Sequence, residues 1–149
     1  MSTRCMIGMK KEDGTVRAIY CHHDGYPLGV GATLLQFYQD VRKINQLMEL
    51  GFISALGVLP VSQTEIEAIF GTNHCTGSKQ VKYNGEWIGC DDYGTGEGME
   101  HNQAVVYASE AAYLEEERST DRDYIYLYKD GEWYSTTRDS WSFEKLSVE

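Results

Sequence analysis

The chain has 149 residues, enough for one domain with a real core, and its 42 % apolar and 24 % charged content is that of a globular rather than a disordered protein. No apolar run approaches the ~20 residues that span a bilayer and no secretory leader pattern opens the sequence, so a cytoplasmic protein off the membrane is expected. A net charge of −10 argues against direct nucleic-acid binding, which needs a basic footprint.

In chain order, the first signal is a hairpin. Cys5, Ile7 and Met9 alternate before Asp13-Gly14, and Val16, Ala18 and Tyr20 alternate after it. Asx-Gly pairs suit two-residue hairpin turns because both central positions need positive φ. Leu34, Leu35, Phe37 and Tyr38 then mark a helical segment from Thr33 to Gln39. Asp40 is placed to cap a second helix, in which Val41, Ile44, Leu47 and Met48 repeat at helical spacing and Gly51 supplies the stop. Ser62 and Glu65 form a capping box, with Val61 and Ile66 as a hydrophobic staple, for a third helix ending near Phe70-Gly71. Asn84-Gly85 predicts a second hairpin, Glu110 to Arg118 a short helix, and Asp130-Gly131 a third hairpin. Tyr124, Tyr126 and Tyr128 alternate into that last turn with Ile125 and Leu127 between them. The order predicts a single α+β domain over 1–149. Its sheet is mainly antiparallel and built from β-hairpins, with three to four helices packed on one face.

Cys5, Cys21, Cys75 and Cys90 are widely spaced and read as reduced thiols of a cytosolic chain. In the first hairpin Cys5 and Cys21 fall nearly opposite each other.

Chemistry-bearing residues concentrate in the stretch from Tyr20 to Thr33. His22 and Asp24 offer acid–base or hydrogen-bonding groups, and Tyr26 adds a phenol. Gly25, Gly29 and Gly31 would let the backbone close around an anion at the start of the Thr33 helix. The candidate binding residues are therefore His22, Asp24, Tyr26, Gly29, Gly31 and Thr33. The loop matches neither a P-loop nor a dinucleotide-binding fingerprint. Cys21-His22-His23, His74-Cys75, Cys90-Asp91-Asp92 and His101 supply zinc-ligand residue types but no zinc-site spacing, so no metal or other cofactor is expected. Cys21 and His22, adjacent in a strand, would point to opposite faces and make a poor nucleophile–base pair, and no catalytic residue is assigned.

Charge is uneven. Eleven acidic residues and two arginines lie between Glu86 and Asp123, while the remainder is almost neutral. Asp91, Asp92, Glu97, Glu100, Glu115, Glu116 and Glu117 form a candidate acidic surface able to present a negative field to a basic partner. The rings Tyr124, Tyr126, Tyr128, Trp133, Tyr134 and Trp141 suit sheet packing first, and a protein-docking surface second.

The segments Thr3-Arg4-Cys5-Met6-Ile7-Gly8, Asp13-Gly14-Thr15-Val16, Ile19-Tyr20-Cys21-His22, Asp24-Gly25-Tyr26, Gly29-Val30-Gly31 and Thr33-Leu34-Leu35 resemble a family of small phage and prophage proteins. Leu50 to Gly57 and the closing Gly131-Glu132-Trp133-Tyr134 fit the same pattern. The resemblance covers the first 57 residues well, the last hairpin moderately and the middle little. It implies a mobile-element origin, with the host cytoplasm as its location, and transfers no catalytic residues. Where the family carries an aromatic residue after Cys-His this chain has His23, which favours His22 and Asp24 over His23.

The leading expectation is a non-enzymatic accessory protein that binds and inhibits a host protein, such as a defence nuclease or other nucleic-acid-binding factor, through an acidic, ring-bearing surface. Direct contact with nucleic acid or membrane is not expected, and a homo-oligomer is compatible with the sequence. The alternatives are a binding protein for a nucleotide signal, using the Gly25–Thr33 loop, and a metal-dependent enzyme.

Overall fold

The computed structural model describes residues 3–61, 82–83, 86–87, 90–92, 103–120, 122–140 and 142–147. Its centre is strand β1 (Cys5–Lys10), whose run Cys-Met-Ile-Gly-Met is buried on both faces. On one side β1 pairs antiparallel with β2 (Val16–Cys21), and Cys5 lies opposite Cys21 as the sequence predicts. On the other side it pairs in parallel with β8 (Tyr124–Lys129), Ile7 against Tyr126. β8 continues antiparallel into β9 (Glu132–Thr137) and then β10 (Glu144–Lys145).

Beyond β2 the edge is shared. β7 (Val105–Tyr107) pairs antiparallel with the start of β2, and β3 (Ile53–Ala55) pairs in parallel at Cys21. β3 in turn holds β6 (Asp91–Asp92). The sheet is therefore mixed, antiparallel in most pairings but parallel at β1–β8 and β2–β3. A separate ribbon joins β4 (Lys82–Tyr83) and β5 (Glu86–Trp87) with Tyr83 opposite Glu86, the register of a two-residue turn. Asn84 and Gly85 themselves lie outside the described residues, as does the predicted helix from Ser62 to Phe70.

The hairpin turns differ. Asp130 and Gly131 have φ of 51° and 78°, as a two-residue turn of this hand requires. At the first turn only Gly14 is positive, at 89°, among the three residues there. Gly14 N–H donates to Lys11 O at 2.9 Å and Lys11 N–H to Thr15 O at 2.8 Å, making a three-residue loop with a glycine bulge. Asp13 favours this form because its carboxylate accepts from both the amide (2.9 Å) and the hydroxyl (2.6 Å) of Thr15.

Three helices are present among the described residues: α1 (Ala32–Phe37), α2 (Val41–Leu50) and α3 (Glu110–Arg118). The caps predicted at Asp40 and Gly51 are formed, and Ser109 adds one not predicted from the sequence. Asp40 accepts from Arg42 N–H at 2.8 Å, Gly51 takes φ 79°, and Ser109 accepts from Ala112 N–H at 3.0 Å.

The helices do not share one face of the sheet, which corrects the single-face expectation. Leu34 of α1 and Ile44, Leu47 and Met48 of α2 pack with Cys5, Ile7, Ile19, Tyr126 and Trp133. Tyr113 and Leu114 of α3 pack with Met6, Ala18, Tyr20, Ile125 and Leu127 on the opposite face. Gly8 makes room for this, since a Cβ there would lie 2.9 Å from the Tyr113 ring. Tyr113 then donates to Tyr126 O at 2.8 Å, and Glu110 ties the start of α3 to Lys129 (2.7 Å) and Lys10 (3.5 Å).

Three of the rings take the sheet-packing role given first place by the sequence. Tyr126, Tyr128 and Trp133 are core residues rather than parts of a docking surface, and Trp133 donates its indole N–H to Tyr38 O at 2.7 Å. Tyr124 and Tyr134 are half-buried, and Trp141 lies outside the described residues.

Candidate functional site

The candidate site grows out of the end of β2. Past Cys21 the chain stays bonded to β3, with His22 N–H donating to Ile53 O (3.1 Å) and the next amide, His23 N–H, to Ser54 O (2.8 Å). Two consecutive amides turned to one neighbour end the regular alternation of the strand, and the His22 and His23 rings lie 4.6 Å apart, edge to face. Cys21 is buried among the α1 and α2 side chains, whereas the His22 ring pairs through Nδ1 with the Tyr20 hydroxyl at 2.7 Å. Tyr20 belongs to the α3 face, where the Arg122 guanidinium lies 4.5 Å from its ring centroid.

At Asp24 the chain turns into the left-handed region, with φ 58°. Asx residues tolerate that conformation better than other side chains, but it persists only where the surroundings hold it. Here the hold is specific. The Asp24 carbonyl accepts from Val30 N–H at 2.8 Å, and a Cβ at Gly29 would lie 2.3 Å from that same oxygen. Only glycine admits this approach. Gly25 N–H donates to Thr3 O at 2.9 Å, and the Tyr126 hydroxyl donates to Gly25 O at 2.6 Å. Burial pushes the Tyr126 phenol far above its ordinary pKa, with the Cys5 thiol adding to the effect, so it remains a donor.

Pro27–Gly31 form a single wide helical turn that runs directly into α1. Its amides are already committed. Gly29 N–H donates to Tyr26 O (2.9 Å), Gly31 N–H reaches the same oxygen at 3.5 Å, and Ala32 N–H donates to Gly29 O and Pro27 O. The expected anion cradle at the head of the Thr33 helix is therefore corrected: these N–H groups are used to shape the loop. Thr33 also turns inward, donating to Gly29 O at 3.2 Å.

Between this loop, α1 and β3 lies a cavity of about 260 Å³. It gathers His23, Asp24, Tyr26, Gly29 and Thr33, and α1 adds Gln36 and Phe37. Of the predicted binding residues, His22 and Gly31 are not in its wall. His22 is on the Tyr20 side, and buried Gly31 packs near Leu146 and Tyr126. His23, which the resemblance disfavoured, lines the cavity instead. Strand alternation does not foretell this, because the regular strand ends at Cys21 and the two histidine rings lie 4.6 Å apart. Gln36 carried no sequence signal either.

The acidic residues divide. Glu115 and Glu116 are exposed on α3, on the opposite side of the sheet from the cavity. Glu117 is only 4 % exposed, which removes it from the predicted acidic surface. Its carboxylate accepts from Tyr107 Oη at 2.5 Å and pairs with Arg122 at 3.6 Å. Helical spacing explains this, since Glu117 lies three and four residues after buried Leu114 and Tyr113. Asp91 and Asp92 form β6, and Glu97 and Glu100 lie outside the described residues.

Compared with known proteins, the chain matches no family model, no curated protein and no solved structure. The geometry stands alone. Among the described residues no three of His, Cys, Asp and Glu converge as metal ligands, and His74, Cys75 and His101 lie outside them. Cys90 has a structural place: its sulfur accepts from Gly57 N–H at 3.3 Å and its thiol donates to Leu59 O at 3.5 Å, pinning the 56–61 segment. No helix among the described residues is long and apolar enough to cross a membrane.

Proposed function

We propose that this protein is a binding protein for a small polar ligand, held in the cavity between the 22–33 loop, α1 and β3. The observation that carries the reading is the construction around Asp24. A left-handed non-glycine residue, braced by Val30 N–H and admitted by Gly29, stands in the wall of a cavity with His23, Tyr26, Thr33 and Gln36. Residues held this way cluster at ligand clamps, and concave sites with a few convergent polar groups favour small molecules. The phage or prophage setting implied by the sequence resemblance suits a protein that sequesters a host metabolite or signal. A nucleotide is the least supported of such ligands, because the loop amides are bonded internally and no lysine or arginine among the described residues lines the cavity.

The test is a thermal-shift screen of the full chain against a metabolite library. A true ligand raises the melting temperature in proportion to the logarithm of its concentration, and Gln36→Ala, in an exposed side chain of the wall, weakens the effect. A ligand whose shift is untouched by changes at Gln36 and His23 would place binding elsewhere.

A second reading, inhibition of a host protein, has its own support at the cavity rim. Leu28 is 71 % exposed and Tyr26 41 % exposed, side by side with the loop's polar residues. Apolar and aromatic groups projecting from a braced loop are suitable anchors for a partner. Exposed Glu115 and Glu116 would serve a basic partner approaching the other face. Glu115→Lys with Glu116→Lys, on the far side of the sheet from the cavity, separates the readings, since it weakens capture of a basic protein partner and leaves a ligand in the cavity bound.

A further inference from the structure

We infer that the ligand of this cavity carries an organic cation, an ammonium, guanidinium or amidinium group, that pairs with the Asp24 carboxylate. The inference rests on the binding reading above and goes beyond it by naming the charge the site selects.

Three observations converge. First, the Asp24 carboxylate has little to do within the chain. Among the described residues its side-chain hydrogen bond is the long 3.4 Å contact from the Tyr26 hydroxyl, and it enters no ion pair with them. Secondly, the wall contains no lysine or arginine among the described residues to neutralise it. Lys43, which borders Phe37, donates to the Phe37 carbonyl at 2.5 Å and lies 4.6 Å from the Tyr38 ring centroid, so its charge is engaged at the α1–α2 junction. Thirdly, an anion would find the Gly29, Val30, Gly31 and Ala32 amides already donating to loop carbonyls. A carboxylate beside a partly apolar wall, with a phenol ring next to it, favours a cation that can pair, donate and stack. The chain's net charge of −10 raises the local concentration of such a ligand and lowers that of an anion.

The experiment uses benzamidine, benzamide and benzoate, which share one ring and differ in charge. Their affinities for the full chain are measured by calorimetry, and the His23 and Tyr26 ring signals are followed by NMR. Benzamidine is expected to shift both signals and to bind at least about tenfold more tightly than benzamide, with benzoate weakest. Asp24→Asn preserves a residue that tolerates left-handed backbone and is expected to remove the benzamidine preference. Should that variant not fold, salt decides in the parent protein: benzamidine affinity falls with ionic strength while benzamide affinity does not. Benzoate or benzamide shifting His23 and binding as tightly as benzamidine overturns the cation and leaves the cavity reading standing. An unaltered benzamidine affinity in folded Asp24→Asn does the same. Failure of all three to move His23 or Tyr26 overturns both.

Discussion

Tyr126, in the last long hairpin, donates its buried hydroxyl to the carbonyl of Gly25 at 2.6 Å, joining residues 101 positions apart. That bond ties the loop of the candidate site to the sheet, because Gly25 stands between Asp24 and Tyr26 of the cavity wall. Tyr126→Phe is expected to lower unfolding free energy by about 1–2 kcal/mol, since the Gly25 carbonyl loses its donor in a buried place. Tyr128→Phe, whose hydroxyl makes a longer 3.3 Å bond to Gln39 O, should cost less. Urea unfolding of both variants measures the difference.

Gly29 and Gly31 look alike in sequence and should not behave alike. A Cβ at Gly29 meets the Asp24 carbonyl at 2.3 Å, which the backbone must move to relieve, whereas one at Gly31 meets Leu146 and Tyr126 at an ordinary 3.4 Å. Gly29→Ala is expected to cost about 1–3 kcal/mol and to displace Asp24, while Gly31→Ala stays within about 1 kcal/mol. Equal melting temperatures for the two would contradict the bracing of Asp24.

The three consecutive glutamates of α3 should separate just as clearly. Glu115→Ala removes an exposed charge and should change stability by no more than about 0.5 kcal/mol. Glu117→Ala strips the Tyr107 hydroxyl and Arg122 of their shared carboxylate, and about 2–3 kcal/mol is expected after allowing for the partial exposure of Arg122. Thermal denaturation of the pair reads this directly.

Asp13 supplies a pH signature. The Thr15 hydroxyl and amide hold its carboxyl below the ordinary aspartate range. A folded pKa below the unfolded one adds stability that is fully present above the unfolded value and is lost as pH falls through the folded one. NMR titration should therefore show Asp13 protonating at lower pH in the parent than in Thr15→Val. A Thr15→Val midpoint equal to the parent's would show that the side-chain bond is not the cause.

The buried thiols should be inert. Cys5, Cys21 and Cys90 are all reduced and buried, and desolvation, with the facing Cys21, raises the Cys5 pKa well above the usual thiol range. Iodoacetamide at neutral pH should label these three only after unfolding, as read by peptide mass spectrometry. Native labelling of Cys5 at the rate of an unfolded peptide would contradict the packing of β1.

Much of the local structure was legible because its causes are local. Asp40 before α2, Gly51 after it and Asp130-Gly131 between β8 and β9 are each set by a few neighbouring dihedrals and one or two hydrogen bonds. The parallel β1–β8 pairing was not, since it joins segments more than a hundred residues apart. A signal for it existed: Cys-Met-Ile-Gly-Met and Ile-Tyr-Leu-Tyr are apolar on both faces, the pattern of strands covered from two sides. Treating the sheet as covered on one side placed all helices together, although Ile125 and Leu127 already marked a second apolar face opposite the tyrosines. At the site, residue types were legible but their directions were less so. Asp24, Tyr26 and Thr33 line one cavity, while His23 stands in its wall in place of His22 because the regular strand ends at Cys21.

Because β1 is zipped between β2 and β8, the middle of the sheet is completed by residues made late in synthesis. A ribosome that has delivered the first sixty residues has supplied Asp24, Gly29 and α1, yet the phenol that steadies Gly25 is still untranslated. The binding loop must therefore wait for the tyrosine-rich hairpin before it can set. Such distant closure is slow compared with local turns, so a nascent chain passes through a period with its apolar strand uncovered.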